Sequence, residues 1–249
     1  MWLSKKVRLD LLVQTKLPGV SRTYVFNLIK HGCVRVDGLV STKPGQQFLP
    51  DVQISCETSA PKYVSRAGLK LEHALIQFKI DVVGKIVLDA GLSTGGFTDC
   101  LLQHGASKVY GVDVGTNQAH PKIRADARVH VLEQTNLRYL ENLPELVDLV
   151  TLDLSFISLL KVICNISKFL KPAGLLIILI KPQFEVGPDY IGAGGIVKDL
   201  KVRDLAVKNV ITGVEQAGFI FQGLIDSPIL GGDGNCEYLA YFIQIAKNQ

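Results

Sequence analysis

One stretch limits the fold more than any other. The apolar run KIVLD (85–89) leads straight into AGLSTGGFTDC (90–100), whose last residues begin a helical pattern. A strand that turns on glycines into a helix opens a βαβ unit, and the helix start offers backbone N–H groups and a positive dipole end to a ligand. From Ser65 the same alternation continues. Amphipathic SRAGLKLEHALIQF (65–78), with Leu71, Ala74, Leu75 and Phe78 facing inward, is followed by KIVLDA, a helix, KVYGVD and RVHVL. VDLVTLDL, a helix near 159–170, GLLIILI and a long helix from about Asp199 to Gln216 come next. Short apolar strands separated by helices predict an α/β fold, a Rossmann-like, doubly wound and mostly parallel sheet. FIFQGLI and EYLAYFIQIA follow one another at the end and predict an antiparallel edge.

The first 58 residues read differently, as a small α+β domain, with 59–64 as linker and 65–249 as the larger domain. An amphipathic turn starts at Arg8, and Ser21 caps a helix over Arg22–Lys30 whose apolar stripe is Tyr24, Val25, Leu28 and Ile29. Strand CVRV (33–36), an Asp37-Gly38 hairpin turn, a Lys43-Pro44-Gly45 turn and a last strand over 52–56 complete it. Residues 1–60 carry eight Lys/Arg against four Asp/Glu, whereas 61–249 carry nineteen of each. The excess positive charge, on Lys5, Lys6, Arg8, Lys16, Arg22, Lys30, Arg35 and Lys43, fits a phosphate-gripping module joined to a neutral domain.

The rest of the composition mainly excludes. Five scattered cysteines form no C-x-x-C pair, and Cys100 with His104 is the one helical spacing among them. They read as reduced thiols of a cytoplasmic protein with no metal site. The N-terminus breaks into charge too early for a signal peptide, and AGLLIILI is too short to span a bilayer.

The spacing in the turn selects its ligand. Ser93 occupies the second glycine of G-x-G-x-x-G, and no G-K-[ST] follows, so pyrophosphate binding loses support. Asp89 ends one strand and Asp113 the next, where a carboxylate can accept both ribose hydroxyls of a nucleoside. A nucleoside with a short charged tail, S-adenosylmethionine, is the natural fit. Its candidate contacts are Asp89, Gly91, Ser93, Thr94, Gly95, Gly96, Phe97, Thr98, Asp113 and Val114. Asp153 and Lys181 end two further strands and should face one another, because a charge directly after an apolar strand is costly unless partnered. Glu237 opens the final strand and can reach the same pocket.

The blocks RLD…SR…LI..G.V.VDG, YVSRAGLKLE, LDAGLSTGGFTDCLL, GVDVG, LDLSFISL, LIKPQFE, GGIVKD and GNCEYL, in this order from about Arg8 to Leu239, resemble the TlyA (hemolysin-A-type) family of ribosomal RNA methyltransferases. The resemblance implies an RNA-binding domain like that of ribosomal small-subunit protein four, followed by an FtsJ-like methyltransferase domain. It implies a Lys-Asp-Lys-Glu tetrad at Lys70, Asp153, Lys181 and Glu237, of which Lys70 comes from the resemblance alone. It also places an adenine-side contact at Asn136 and makes Arg8, Arg22, Lys30, Arg35, Lys43 and Arg66 candidate RNA contacts. The expected partner is ribosomal RNA or the ribosomal subunits, and the expected product is a ribose methylated on the 2′-hydroxyl of, by the family's habit, cytidine. Ala67, where relatives often carry Gly, and the segment Thr116–His120 depart from the pattern.

In that reading Lys181, desolvated beside Lys70, acts as general base while Asp153 and Glu237 orient the lysines and substrate. Base methylation usually calls for an Asn/Asp-Pro-Pro-aromatic loop or a cysteine nucleophile, and Asp153-Leu154-Ser155-Phe156 stands there instead. A ribosome-assembly factor with a vestigial fold is the alternative from another class, opposed by the four intact tetrad positions. A hemolysin-like activity finds no pore-forming pattern to support it.

Overall fold

The computed structural model describes residues 6–30, 32–56 and 62–246. Lys5 and the first linker positions, 59–61, lie outside them. The chain divides into two compact units, 1–66 and 67–249.

The first unit runs β1 (Val7–Arg8), α1 (Leu9–Lys16), α2 (Arg22–Lys30), β2 (Val34–Val36), β3 (Leu39–Val40), β4 (Gln47–Phe48) and β5 (Ile54–Cys56). Strands β3, β2 and β5 form one antiparallel sheet, and β1 pairs with β4. Ser21 caps α2, its Oγ accepting the N–H of Tyr24 at 3.1 Å. Asp37 and Gly38 both take positive φ, 50° and 81°, which the tight β2–β3 hairpin requires and which the Asp-Gly pair supplies at low steric cost. Leu9, Val13, Val25, Leu28, Ile29, Val34 and Val36 make the core. Tyr24 departs from the expected stripe and is 37% exposed: at one position before Val25 it sits off the face that meets α1.

The second unit runs α3 (Ala67–Gln77), β6 (Ile86–Ala90), α4 (Gly96–Gln103), β7 (Lys108–Val112), α5 (Pro121–Ala125), β8 (Val129–Leu132) and β9 (Val147–Leu152). It continues with α6 (Leu160–Ile166), β10 (Leu170–Ile180), α7 (Pro182–Glu185), two 3-10 turns, α8 (Leu200–Gln216), β11 (Phe219–Asp226) and β12 (Tyr238–Gln244). Seven strands form one sheet in the order β11-β12-β10-β9-β6-β7-β8. The five from β10 to β8 are parallel. β12 runs antiparallel to both β10 and β11 and closes that side.

Leu176–Ile180 are all fully buried, the continuous apolar run expected of a strand covered on both faces. The helix anticipated near 159–170 is shorter, because Leu170 already pairs with Val147 of β9 and so belongs to β10. Phe78 lies past the end of α3, half-buried, with its ring 5.5 Å from that of Tyr241. Strand order reverses between β6 and β9. In α/β sheets the crevice at such a switch point, outside the carboxyl ends of the strands, is where ligands bind. Among the described residues no helix is long and apolar enough to cross a membrane.

Candidate active site

The glycine turn leaves β6 and folds against the end of its neighbour. Gly91 has φ +95°, and a Cβ there would come within 2.3 Å of the backbone oxygen of Asp153. Gly95, at φ +92°, would meet Ile123 of α5 at 2.8 Å. Both positions therefore need glycine for conformation and for space. Asp89 is fully buried, its carboxylate accepting hydrogen bonds from Thr98 Oγ1 at 2.6 Å and Thr151 Oγ1 at 2.9 Å. Burial pushes its pKa up to about 6, against the two hydroxyl bonds, with a smaller upward push from Asp153. Asp89 thus ties the turn and the start of α4 to β9, and its carboxylate faces protein. Phe97 and Thr98 are buried as well, so these two positions can offer the crevice little but backbone. Ser93 is exposed, and Gly91 and Thr94 are partly so.

Asp113, just past β7, is half-buried and accepts the N–H groups of Ser93 and Gly115, each at 2.7 Å. A carboxylate offers about four acceptor sites, so capacity for ribose hydroxyls remains. Val114 beside it is 68% exposed. Asn136 is exposed, its Oδ1 taking the N–H of Arg138 at 3.0 Å. The Thr116–His120 segment is held by Glu133, which accepts the N–H groups of Asn117 at 2.9 Å and Gln118 at 3.1 Å and pairs with Arg124. The Arg124 guanidinium, with those two N–H groups, lowers the Glu133 pKa to about 2. His120 N–H adds a bond to Thr94 O at 3.1 Å, joining the segment to the turn.

Four ionisable side chains from four separate elements meet the same edge. Lys181 follows β10 and its Nζ stands 2.7 Å from Asp153 Oδ1, after β9, while donating a hydrogen bond to Ser155 Oγ at 2.9 Å. Lys70, on the second turn of α3, donates to Glu237 Oε2 at 2.5 Å, and both side chains are almost fully buried. Because β12 is antiparallel, its beginning reaches the edge where the parallel strands end. Tyr238 pairs with Ile180, which sets Glu237 beside Lys181 in the register. Gly231 leaves room for this carboxylate, since a Cβ there would lie 2.5 Å from Glu237 Oε1.

An FtsJ-like methyltransferase family model matches residues 63–243. The chain is also 39% identical over 242 residues to the 16S/23S rRNA (cytidine-2'-O)-methyltransferase TlyA of Mycobacterium tuberculosis, covering 96% of this chain and 90% of the relative. The chain belongs to the TlyA family of FtsJ-like methyltransferases. An S4 domain model matches residues 7–54. Hemolysin A of Brachyspira hyodysenteriae is 41% identical over 240 residues, 95% of this chain and 100% of that relative. A candidate hemolysin of known structure from Streptococcus thermophilus superposes with a TM-score of 0.75 at 38% identity, covering 98% of this chain and 90% of that one.

In this TlyA-family chain several contacts were not singled out from the sequence. Ser155 shares the loop of Asp153 and was legible as its near neighbour. Asn235, 3% exposed, donates to Gly195 O at 2.9 Å and accepts from Val197 N–H at 3.0 Å. It thereby holds the 192–197 loop to the segment that carries Glu237. Glu185 Oε1 accepts Leu159 N–H at 2.9 Å, bracing the loop after Asp153, and burial raises its pKa. Phe156, at φ +65° and 90% exposed, sets its ring 5.1 Å from Phe184, whose own ring lies 6.0 Å from Lys181 Nζ. Of the expected RNA contacts, Arg22, Lys30, Arg35 and Lys43 are exposed and Arg66 is half-buried, while Arg8 is paired with Asp10.

Proposed function

We propose that this TlyA-family enzyme transfers a methyl group from S-adenosylmethionine to the ribose 2′-hydroxyl of a cytidine in ribosomal RNA. The observation that carries the reading is the convergence of Lys70, Asp153, Lys181 and Glu237 as two ion pairs beside the glycine turn. The relatives from Mycobacterium tuberculosis and Campylobacter jejuni, 39% and 32% identical, bear the name of rRNA (cytidine-2'-O)-methyltransferases, which supports the substrate.

The donor set fits the cofactor. Asp113 keeps acceptor capacity at a strand end, and exposed Ser93 and Val114 flank it. When bound, S-adenosylmethionine supplies a methyl carbon made electrophilic by its sulfonium. The chain's own residues then have two tasks, to align the ribose and to accept one proton. Lys181 Nζ, held between Asp153 and Ser155, would act as the neutral amine, taking the 2′-hydroxyl proton as that oxygen accepts the methyl group. Lys70 and Glu237 fix the ribose on the other side. Phe156 and Phe184 offer aromatic surface to a base turned out of its stack, as chemistry on a paired nucleotide requires. The basic side chains of the first unit grip flanking phosphates.

The test incubates the chain with S-adenosylmethionine and purified ribosomal subunits, then maps the methylated nucleotides. A 2′-O-methylcytidine is expected. Methyl groups found on bases, or no transfer to either subunit, would overturn the reading.

A further inference from the structure

Helix α2 carries Arg22, Phe26 and Lys30 at intervals of four, which places them along one face. Phe26 is 46% exposed, with Lys30 Nζ 5.8 Å from its ring centroid. An aromatic ring left half in water forgoes part of the gain of burial, although the core lies one residue away at Val25. Beside the ring is a cleft of about 330 Å³, lined by Asp10, Leu11 and Gln14 of α1 and by Arg22, Val25 and Phe26 of α2. Its volume falls at the small end of ligand pockets, which span about 300–1,000 Å³.

The electrostatics suit an anionic chain with a planar appendage. Arg8 engages the Asp10 carboxylate with two bonds, Nε to Oδ1 at 3.0 Å and Nη2 to Oδ2 at 2.7 Å, and holds its pKa below the usual carboxylate range. The acidic group lining the cleft is thereby countered, chiefly by Arg8 and to a smaller extent by Arg22, and the exposed cations of Arg22 and Lys30 stand one helical turn before and after the ring. Proteins that hold unpaired nucleotides combine these elements: cations track the backbone while bases stack on the rings.

We infer that this cleft takes one unpaired nucleobase of the RNA, stacked on Phe26, with the adjoining phosphates on Arg22 and Lys30. The inference rests on the RNA-substrate reading above and adds a base contact to a unit otherwise assigned to phosphates. Stacking tolerates any base, so the site distinguishes unpaired from paired RNA rather than one sequence from another.

The test measures, with the full chain, the affinity for a short single-stranded RNA and for an abasic ribose–phosphate chain of equal length and charge. Wild type should prefer the RNA. Phe26→Ala should lower RNA affinity about tenfold, leave the abasic chain unaffected and keep the salt dependence unchanged. Phe26→Trp should restore the preference. Arg22→Ala should weaken both polymers and flatten the log–log salt slope by about one. If Phe26→Ala binds RNA as wild type does while binding stays salt-dependent, the base site is wrong and the RNA reading survives. Equal losses for both polymers would show that the ring merely supports α2, or faces a protein, and would overturn the proposal. No affinity of wild type for either polymer would overturn the site and remove this unit from RNA binding altogether.

Discussion

Lys70 and Glu237 are both nearly buried, and a buried ion pair is a poor device for stability, since well-packed apolar residues often do as well or better. What such a pair offers is charge at a defined point. Lys181 and Asp153 are also mostly shielded from water, and Ser155 fixes the position of Lys181 Nζ. Lys181→Ala should therefore abolish methyl transfer while cofactor affinity stays within a few-fold of wild type. Asp113→Ala should act in the opposite sense, weakening the cofactor by roughly 1–3 kcal/mol through loss of hydrogen bonds to a charged acceptor. Single-turnover methylation and calorimetry on the two variants separate these roles. Turnover above a tenth of wild type in Lys181→Ala contradicts its assignment as base, and unchanged affinity in Asp113→Ala contradicts ribose binding.

At the scale of the element, the glycine turn depends on Asp89 as much as on its glycines. Two hydroxyl bonds from Thr98 and Thr151 clamp β6, α4 and β9 together. The carboxyl pKa is raised from 3.8 to about 6, so the folded chain holds this proton more tightly than the unfolded chain does. The sign follows: its favourable contribution is fully present below about pH 4, is lost as pH rises toward 6, and stays lost above. The whole effect is on the order of 3 kcal/mol. Asp126 and Glu133, both lowered to about 2 by arginine partners, act with the opposite sign at more acid pH. Asp89→Asn should thus remove the decline in stability between about pH 4 and 6 and leave the acid limb in place. Urea unfolding across that range reads it directly, and identical pH slopes in wild type and variant would show that Asp89 does not titrate there.

The whole molecule separates two tasks along the chain. The S4-type unit holds the net positive charge, and the FtsJ-like unit, with seventeen Lys/Arg against nineteen Asp/Glu over 67–249, holds the tetrad and the turn. Phosphate contacts add affinity roughly in proportion to the cations engaged, whereas the proposed chemistry depends on how the sheet edge and α3 set the four side chains. Removing residues 1–66 should leave a folded unit that binds S-adenosylmethionine as the full chain does but has lost most of its RNA affinity and its salt dependence. Affinity measured over a salt series for the two proteins tests this, and parallel lines of equal affinity would place RNA recognition wholly in the methyltransferase unit.

Local physics made much of this readable before any coordinates. Backbone periodicity, a Ser cap at 21, the Asp37-Gly38 turn and charges placed directly after apolar strands each act over a few residues, and each appears where the pattern puts it. Lys70 was not readable in this way. It sits within an amphipathic helix with no local sign of its partner, 167 residues away, and only the family resemblance pointed to it. The inward turn of Asp89, the bracing by Glu185 and Asn235, the early start of β10 at Leu170 and the exposure of Tyr24 and Phe26 were likewise decided by tertiary structure. The reason is range: a strand end or a cap is set by neighbours in sequence, but which side of a strand end faces water depends on the register of distant strands. That register is settled only when the whole sheet closes.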